Sequence, residues 1–473
     1  MSSYIPTIGL EVHCELKSNS KNFSSSKNGE GVVNSNLSVV DIGYPGILPV
    51  VNKEAVRKSL MVALALNCEI VEKLSFDRKN YYYPDLPKGY QITQFANPIG
   101  INGYVIINVD GSERKITIHD THLEEDTANM DHLETYSLID YNRAGIPLLE
   151  TVSDPCMHSS KEAIAYLETL RNIFLYLDAS DAKADMGQIR VDINVSLQRE
   201  DENKLGTRVE IKNINSFATV KEVIEVEIKR QQEILESGGK IEQETRRYDE
   251  VNKKTVFMRG KVDAIDYKYY REPNIPEIKI TEEFIKKIKK DMPTLEYERK
   301  RKYINDYGIS FIDAATLTKD KKLSDYFEDI ISYGCQPKDT SNIIVGFLLG
   351  YLNKNDKGIS SINIASKDFS DVIKMMTDGK ISNKQLKDIF TKSLDEDKNI
   401  LEIAKMTGNQ ISDRKQIREI IKEVFNDNSK IIEDYKNGKN VKGFIMGLIM
   451  KKTAGKVNPS LTNEILAEEL EKL

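Results

Sequence analysis

Ile8-Gly9-Leu10-Glu11-Val12-His13-Cys14-Glu15-Leu16 alternates without a break. Ile8, Leu10, Val12, Cys14 and Leu16 fall on one side; Glu11, His13 and Glu15 fall on the other. That is the period of a half-buried β-strand. Side chains two residues apart on a strand leave the same face about 7 Å from one another. Glu11 and His13 therefore stand side by side on a polar face. A carboxylate and an imidazole at that reach can hold a divalent metal. Taken alone, the run reads more simply as an edge strand with a solvated charged face.

Two further runs add to it. Ile189-Arg190-Val191-Asp192-Ile193-Asn194-Val195-Ser196-Leu197 alternates again, with Arg190, Asp192, Asn194 and Ser196 on its polar face. A polar connection containing Gly206 leads to Thr207-Arg208-Val209-Glu210-Ile211-Lys212-Asn213, whose polar face is Arg208, Glu210 and Lys212. The two runs predict an antiparallel pair with a long hairpin loop. Carboxylates interleaved with Arg and Lys on one sheet face suit phosphates and a metal. A fourth piece, His119-Asp120-Thr121-His122-Leu123-Glu124-Glu125-Asp126, places three acids in a row. Consecutive acids repel unless solvent or a cation screens them; alone, the piece reads as an exposed acidic turn.

The 473 residues suffice for two or three domains, and 40% hydrophobic with 30% charged residues is an ordinary composition for a folded chain. With a net charge of −6, no global basic character advertises nucleic-acid binding, so any RNA contact is a local patch. Cys14, Cys68, Cys156 and Cys335 form no Cys-x-x-Cys pair, which argues against a redox motif and fits a reducing cytoplasm. Met1 to Pro6 lacks the basic-then-apolar pattern of a secretory signal. The longest purely apolar run, Leu60 to Leu66, is too short to span a membrane, so no membrane association is expected.

Ten of the 13 prolines lie at or before Pro276. The first part mixes strands, turns and helices, with helices predicted at about 53–67, 160–178 and 219–237. Asn80 to Tyr90, with four tyrosines and two prolines, is a stiff loop: a pocket wall or a packed surface loop. Beyond Met292-Pro293 the chain is rich in Lys, Glu and Ile at helical spacing with few breakers. The fold class expected is α+β: a cradle domain built around antiparallel strands (1–292), a helical domain (293–400) and a small helical tail (401–473). In the tail, apolar residues at 441, 444, 445, 448 and 449 form one helical stripe. Six lysines and no acid lie between Lys436 and Lys456, a patch suited to a phosphate backbone or to a plain solvated face. No phosphate-loop motif, dinucleotide fingerprint or serine-hydrolase elbow occurs. If ATP is used, carboxylates, a metal and basic side chains must hold its phosphates.

The ordered motifs resemble one family. They are Ile8 to His13, Gly43-Tyr44-Pro45-Gly46-Ile47-Leu48-Pro49-Val50, Phe76 to Tyr81, Tyr90 to Phe95, His122 to Asp126, Glu210 to Ser216 and Gln243 to Arg247. In the tail, Gly443 to Gly447 and Asn458-Pro459 match the small helical module the family shares with other proteins. Over essentially its whole length the chain is similar to the B subunits of bacterial Glu-tRNA(Gln)/Asp-tRNA(Asn) amidotransferases.

That resemblance implies ATP-dependent phosphorylation of the Glu (or Asp) side chain on misacylated tRNA, followed by amidation with ammonia. It implies a heterotrimer with a glutaminase (A) subunit and a small C subunit, with ATP and Mg2+ as cofactors. It implies that Glu11, His13, Glu125, Asp192 and Glu210 are catalytic and surround the metal, with Glu124 nearby. Lys79, Lys88, Arg190, Arg246 and Arg247 become candidates for phosphate contacts or for the ammonia path. Lys439, Lys442, Lys451, Lys452 and Lys456 become candidates for tRNA contact. Some members carry zinc-binding cysteine pairs; here those stretches read Phe23-Ser24-Ser25-Ser26 and Val40-Asp41-Ile42-Gly43, so no zinc is expected.

The chain also departs from the family pattern. The usual Ala-Gly-Lys after the acids is Thr127-Ala128-Asn129, and an Arg common before His122 is replaced around Asp120-Thr121. The usual Asp-Tyr-Arg-Tyr-Phe-Pro-Glu-Pro-Asp reads Asp266-Tyr267-Lys268-Tyr269-Tyr270-Arg271-Glu272-Pro273-Asn274. These changes leave open a non-catalytic tRNA-binding scaffold with a decayed kinase site. The archaeal relative carries an inserted synthetase-like domain, for which 473 residues leave little room.

Overall fold

The structure is a computed structural model describing residues 4–201, 204–260, 266–407, 411, 413–436 and 441–472. It divides into two compact units, Met1–Leu295 and Glu296–Leu473.

The first unit is built on a nine-stranded sheet. Its elements, in chain order, are β1 (Tyr4–Glu15), α1 (Lys53–Ala65), β2 (Glu69–Ile70), β3 (Gly100–Val109), β4 (Ser112–Glu125), β5 (Pro147–Ser153) and α2 (Ser160–Tyr176). β6 (Ile189–Arg199), β7 (Val209–Ile214), α3 (Phe217–Glu236), β8 (Glu244–Asp249) and β9 (Lys254–Gly260) follow. The spatial order is β9-β8-β7-β6-β1-β5-β4-β3-β2. The first strand is thus the central one, not an edge. Neighbours run antiparallel except β7 and β8, which are parallel and joined by α3. A parallel pair needs a crossover, and α3 supplies it.

The alternation in β1 sorts its two faces. Ile8, Leu10, Val12 and Cys14 are fully buried in one core with Leu167, Leu170 and Phe174 of α2 and Val220, Val223 and Ile224 of α3. Glu11, His13 and Glu15 face the other way and are only half-buried. Caps fix the helix starts: Asn52 accepts from the backbone of Glu54 and Ala55, and Ser159 accepts from Glu162. A small sheet of Asp77–Asn80, Tyr90–Thr93 and Tyr270–Arg271 abuts β4. Glu272, fully buried, is gripped through both carboxylate oxygens by Arg78.

The piece expected as an acidic turn, His119 to Asp126, is the end of β4 and its continuation. Glu124, Glu125 and Asp126 are all buried, because each acid finds a different partner, as set out below.

The described elements of the second unit are helices apart from one isolated bridge, Ile411 to Val457. They enclose two cores, one from Tyr303 to Ala404 and one from Ile417 to Leu470. In the tail helix Lys442–Lys452 the buried side chains are Ile445 and Ile449, preceded by Val441. Phe444, placed by the sequence in the apolar stripe, faces solvent instead. No helix among the described residues is long and apolar enough to cross a membrane.

Candidate active site

Register builds the site on the open face of the sheet. Across β1 and β5, His13 stands opposite Glu150; across β5 and β4, Glu150 stands opposite His122. Across β1 and β6, Glu11 stands opposite Asp192 and His13 opposite Arg190. Asn194 of β6 stands opposite Glu210 of β7. Two clusters result, each able to offer three ligand atoms within 4.8 Å of one another: His13, Glu124 and Glu150; and Glu11, Asp192 and Glu210. β1 contributes one member to each.

The first triad is densely paired. Glu150 Oε2 lies 3.2 Å from His13 Nε2 and 3.2 Å from His122 Nε2, and His122 Nδ1 lies 2.7 Å from Asp120. Burial opposes charge on both imidazoles, yet Glu150 overrides it, raising His13 to about 9 and His122 well above its ordinary value. Burial likewise opposes the Glu150 anion, but the two imidazoles hold its pKa well below the usual carboxylate range. Burial and the Glu150 charge push Glu124 up.

The second triad is richer in oxygen. Asp192 accepts from the backbone of Asn213 at 2.9 Å and from Lys212 Nζ at 2.6 Å; Glu210 accepts from Lys212 at 2.9 Å and from Thr245 Oγ1 at 2.9 Å. Asn194 Nδ2 donates to Glu11 Oε1 at 3.0 Å, while its buried Oδ1 has no hydrogen-bond partner. Burial, then Glu150, raises Glu11.

The expected residues separate into groups. Glu11, His13, Asp192, Glu210 and Glu124 lie in the triads. Glu125 does not: its carboxylate takes Lys88 Nζ at 2.6 Å and the backbone N–H of Ile92 at 2.9 Å. Of the six residues expected around one metal, five fall into two clusters and Glu125 into neither, because strand parity turns Glu124 and Glu125 apart. Lys88, bound to Glu125, is not a free cation. Arg190 is held by Asp126 at 2.8 Å, with Glu15 at 3.9 Å. Arg246 turns to the helix-covered face, against Glu244, Thr255 and Glu227 of α3. Arg247, next along β8, is exposed. Lys79 alone of the five lines the same cleft as the first triad, its Nζ 5.1 Å from the Tyr267 ring centre. Burial disfavours its charge, but Glu124 keeps its pKa raised.

Glu150, His122, Asn194 and Thr245 join the site without having been singled out. Glu150 had a signal: it is the one acid in the otherwise uncharged run Pro147-Leu148-Leu149-Glu150-Thr151-Val152-Ser153. The cleft beside the first triad, of ≈ 410 Å³, is also lined by Phe95, Pro98, Ile101 and Tyr269.

Stretches 23–26 and 38–41 are joined by a hydrogen-bonded knot. Asp41 accepts from Ser24 Oγ, Ser26 Oγ, Ser38 Oγ and the Ser38 backbone, at 2.5 to 2.9 Å. In the tail, Lys442, Lys451 and Lys456 are exposed. Lys452 is tied to Glu423 at 3.0 Å and Asp427 at 2.9 Å, and Lys439 lies outside the described residues.

Residues 6–286 match the model of the GatB/GatE catalytic domain, and residues 325–470 match that of the GatB domain. The B subunits of several aspartyl/glutamyl-tRNA(Asn/Gln) amidotransferases are similar over 98% of both chains. They include those of Bacillus cytotoxicus (strain DSM 22905 / CIP 110041 / 391-98 / NVH 391-98) and Bacillus cereus (strain AH187), each 46% identical. That of Oceanobacillus iheyensis is also 46% identical. With its α+β first unit, its helical second unit and both family domains in order, the chain belongs to the GatB family of tRNA-dependent amidotransferase B subunits.

Proposed function

We propose that this chain carries the kinase and amidation site of a heterotrimeric aminoacyl-tRNA amidotransferase. The substrate is Glu on tRNA(Gln), or Asp on tRNA(Asn); a glutaminase A subunit supplies ammonia and a small C subunit completes the complex. The observation that carries the reading is the pair of triads on one open sheet face, with the orphaned Asn194 Oδ1 beside the second.

A carboxylate is a poor electrophile, because an amine attacking it would have to expel oxide. Phosphorylation supplies a leaving group: a substrate carboxylate oxygen attacks the γ-phosphorus of ATP and ADP departs. Ammonia then attacks the acyl carbon and phosphate departs. Such transfers need alignment and charge neutralisation more than covalent help. Glu11, Asp192, Glu210 and Asn194 offer the oxygen donors magnesium prefers; Glu124, Glu150 and, once a metal displaces its proton, His13 offer a second set. A magnesium ion held by these side chains would offset the charge of the phosphates. Lys79 adds fixed positive charge in the cleft. Lys212 and His122 hold the carboxylates in place between turnovers. No triad member falls at the departures at 120–121, 127–129 or 266–274, although Asp120 and Tyr269 line the cleft beside the first triad.

The test is amidation by the chain reconstituted with its A and C partners, using Glu-tRNA(Gln) and Asp-tRNA(Asn) with ATP, magnesium and glutamine. ATP- and magnesium-dependent formation of Gln-tRNA or Asn-tRNA is expected. Glutamine hydrolysis without either product would leave the tRNA-binding scaffold as the better reading.

A further inference from the structure

We propose that the free face of Phe95 is a shelf on which an adenine ring stacks, in the cleft that Glu124 and Glu150 also line. This deepens the proposed function and rests on that site accepting ATP and the 3′ end of an aminoacyl-tRNA. Both bring an adenine: the base of ATP, or the terminal adenosine of the tRNA.

Phe95 is 62% exposed. A single exposed aromatic is unremarkable in itself; this one is held. On one side it stacks on Tyr269, ring centres 4.1 Å apart and planes 11° from parallel. Its backbone is fixed from below, since the buried carboxylate of Asp77 accepts both Phe95 N–H and Ala96 N–H at 2.8 Å. The preceding side chain, Gln94, accepts the Leu123 N–H at 2.8 Å and donates to Ser75 O at 3.1 Å. That anchors the turn to β4, the strand that carries His122 and Glu124. A buried carboxylate is costly unless fully bonded, and here its bonds serve to display an aromatic face to solvent.

The lining of the cleft is mixed. Phe95, Pro98 and Ile101 line it together with His122, Glu124 and Glu150. An exposed aromatic face and metal-capable acids lining one cleft suit the two parts of a nucleotide, its base and its phosphates. Base stacking on an aromatic ring tolerates a platform with no hydrogen-bond readout, and Tyr269 behind Phe95 keeps the ring from rotating away. Pre-positioned rings bind at lower entropic cost than mobile ones.

The experiment uses the reconstituted heterotrimer with wild-type chain, Phe95→Leu and Phe95→Trp. Equilibrium binding of Mg-ATP, and separately of tRNA ending in its 3′ adenosine, is measured for each, alongside amidation. Phe95→Leu keeps an apolar side chain without a π face; it is expected to weaken one ligand about tenfold, while Phe95→Trp retains affinity. A loss confined to ATP assigns the shelf to the ATP base. A loss confined to tRNA assigns it to the terminal adenosine. Unchanged binding of both ligands by Phe95→Leu overturns the shelf, whether or not the complex amidates. Amidation by the wild type is scored separately, so the shelf can fall while the enzyme reading stands. Failure of the wild type to bind either ligand overturns both.

Discussion

Glu124 and Glu125 are consecutive on β4 and face opposite sides of the sheet. Glu124 joins His13 and Glu150 in a metal-capable triad, while Glu125 is closed off by Lys88 at 2.6 Å. Two adjacent acids of the same type are therefore expected to fail differently. Glu124→Gln should lower amidation roughly a hundredfold or more and raise the magnesium needed. Glu125→Gln leaves the half-buried Lys88 without its anion and should cost about 3 kcal/mol of stability at an unchanged magnesium requirement. Magnesium titrations of amidation, with thermal unfolding of each variant, separate the two. An equal rise in magnesium requirement for both would refute the division.

The orphaned Asn194 Oδ1 gives a second expectation. Asn194→Ala removes that oxygen and the hydrogen bond to Glu11 at once. Magnesium affinity should fall about tenfold or more, seen by calorimetric titration of the chelator-stripped complex. An unaltered titration curve would take Asn194 out of the metal site.

Glu272 sets a pH-dependent difference in stability. Burial opposes its charge, but Arg78 and the Asn274 backbone hold its folded-state pKa below the ordinary value. A depressed carboxylate contributes stability above its unfolded pKa, about 4.3, and loses it as pH falls through the lower folded value. Glu272→Gln should therefore be less stable than wild type at pH 7, by about 2–3 kcal/mol, and the gap should close below about pH 4. Denaturant unfolding at pH 7 and near pH 3.5 checks it; a gap independent of pH would mean that Glu272 is not ionised in the folded chain.

The tail lysines should not behave alike. Replacing exposed Lys442, Lys451 and Lys456 with Ala should weaken tRNA binding and flatten its salt dependence by up to about 3 in the log–log slope. Lys452→Ala, already neutralised by Glu423 and Asp427, should change the slope far less. tRNA binding between 50 and 200 mM salt, on the order used for such slopes, decides it. A larger effect from Lys452 than from the other three would reverse the assignment.

The sequence made the central strands legible because β1, β6 and β7 each gather their apolar side chains on one face. Alternation then names both the core residues and the polar row. It also placed α1, α2 and α3 within a few residues, because Asn52, Ser159 and the glycines after residue 237 punctuate them. It misread His119 to Asp126 because three consecutive acids look solvated. Their burial depends on Lys88, Arg190 and the Tyr90–Thr93 strand, all distant in the chain. Arg246 and Arg247 could not be told apart because β8 is polar on both faces, so parity has no hydrophobic reference. Glu150 escaped notice as a lone acid whose partners, His13 and His122, sit on other strands. Phe444 was assigned inward by helical spacing alone, which does not say how wide the buried stripe is.

Placing the first strand at the centre of the sheet also dictates the order in which the protein can come to life. As the chain leaves the ribosome, β1 emerges before the other strands of the sheet, with Glu11 and His13 already in hand, but without β5 and β6 beside it. Its partner at Glu150 must be made before one triad can close, and those at Asp192 and Glu210 before the other. Pairing so distant in sequence is slow and leaves strand edges open meanwhile. A nascent chain stalled before β6 would therefore hold a half-built face, with one triad complete in principle and the other lacking two of its three acids. Metal affinity measured on chains of increasing length would then act as a clock for folding of the first unit.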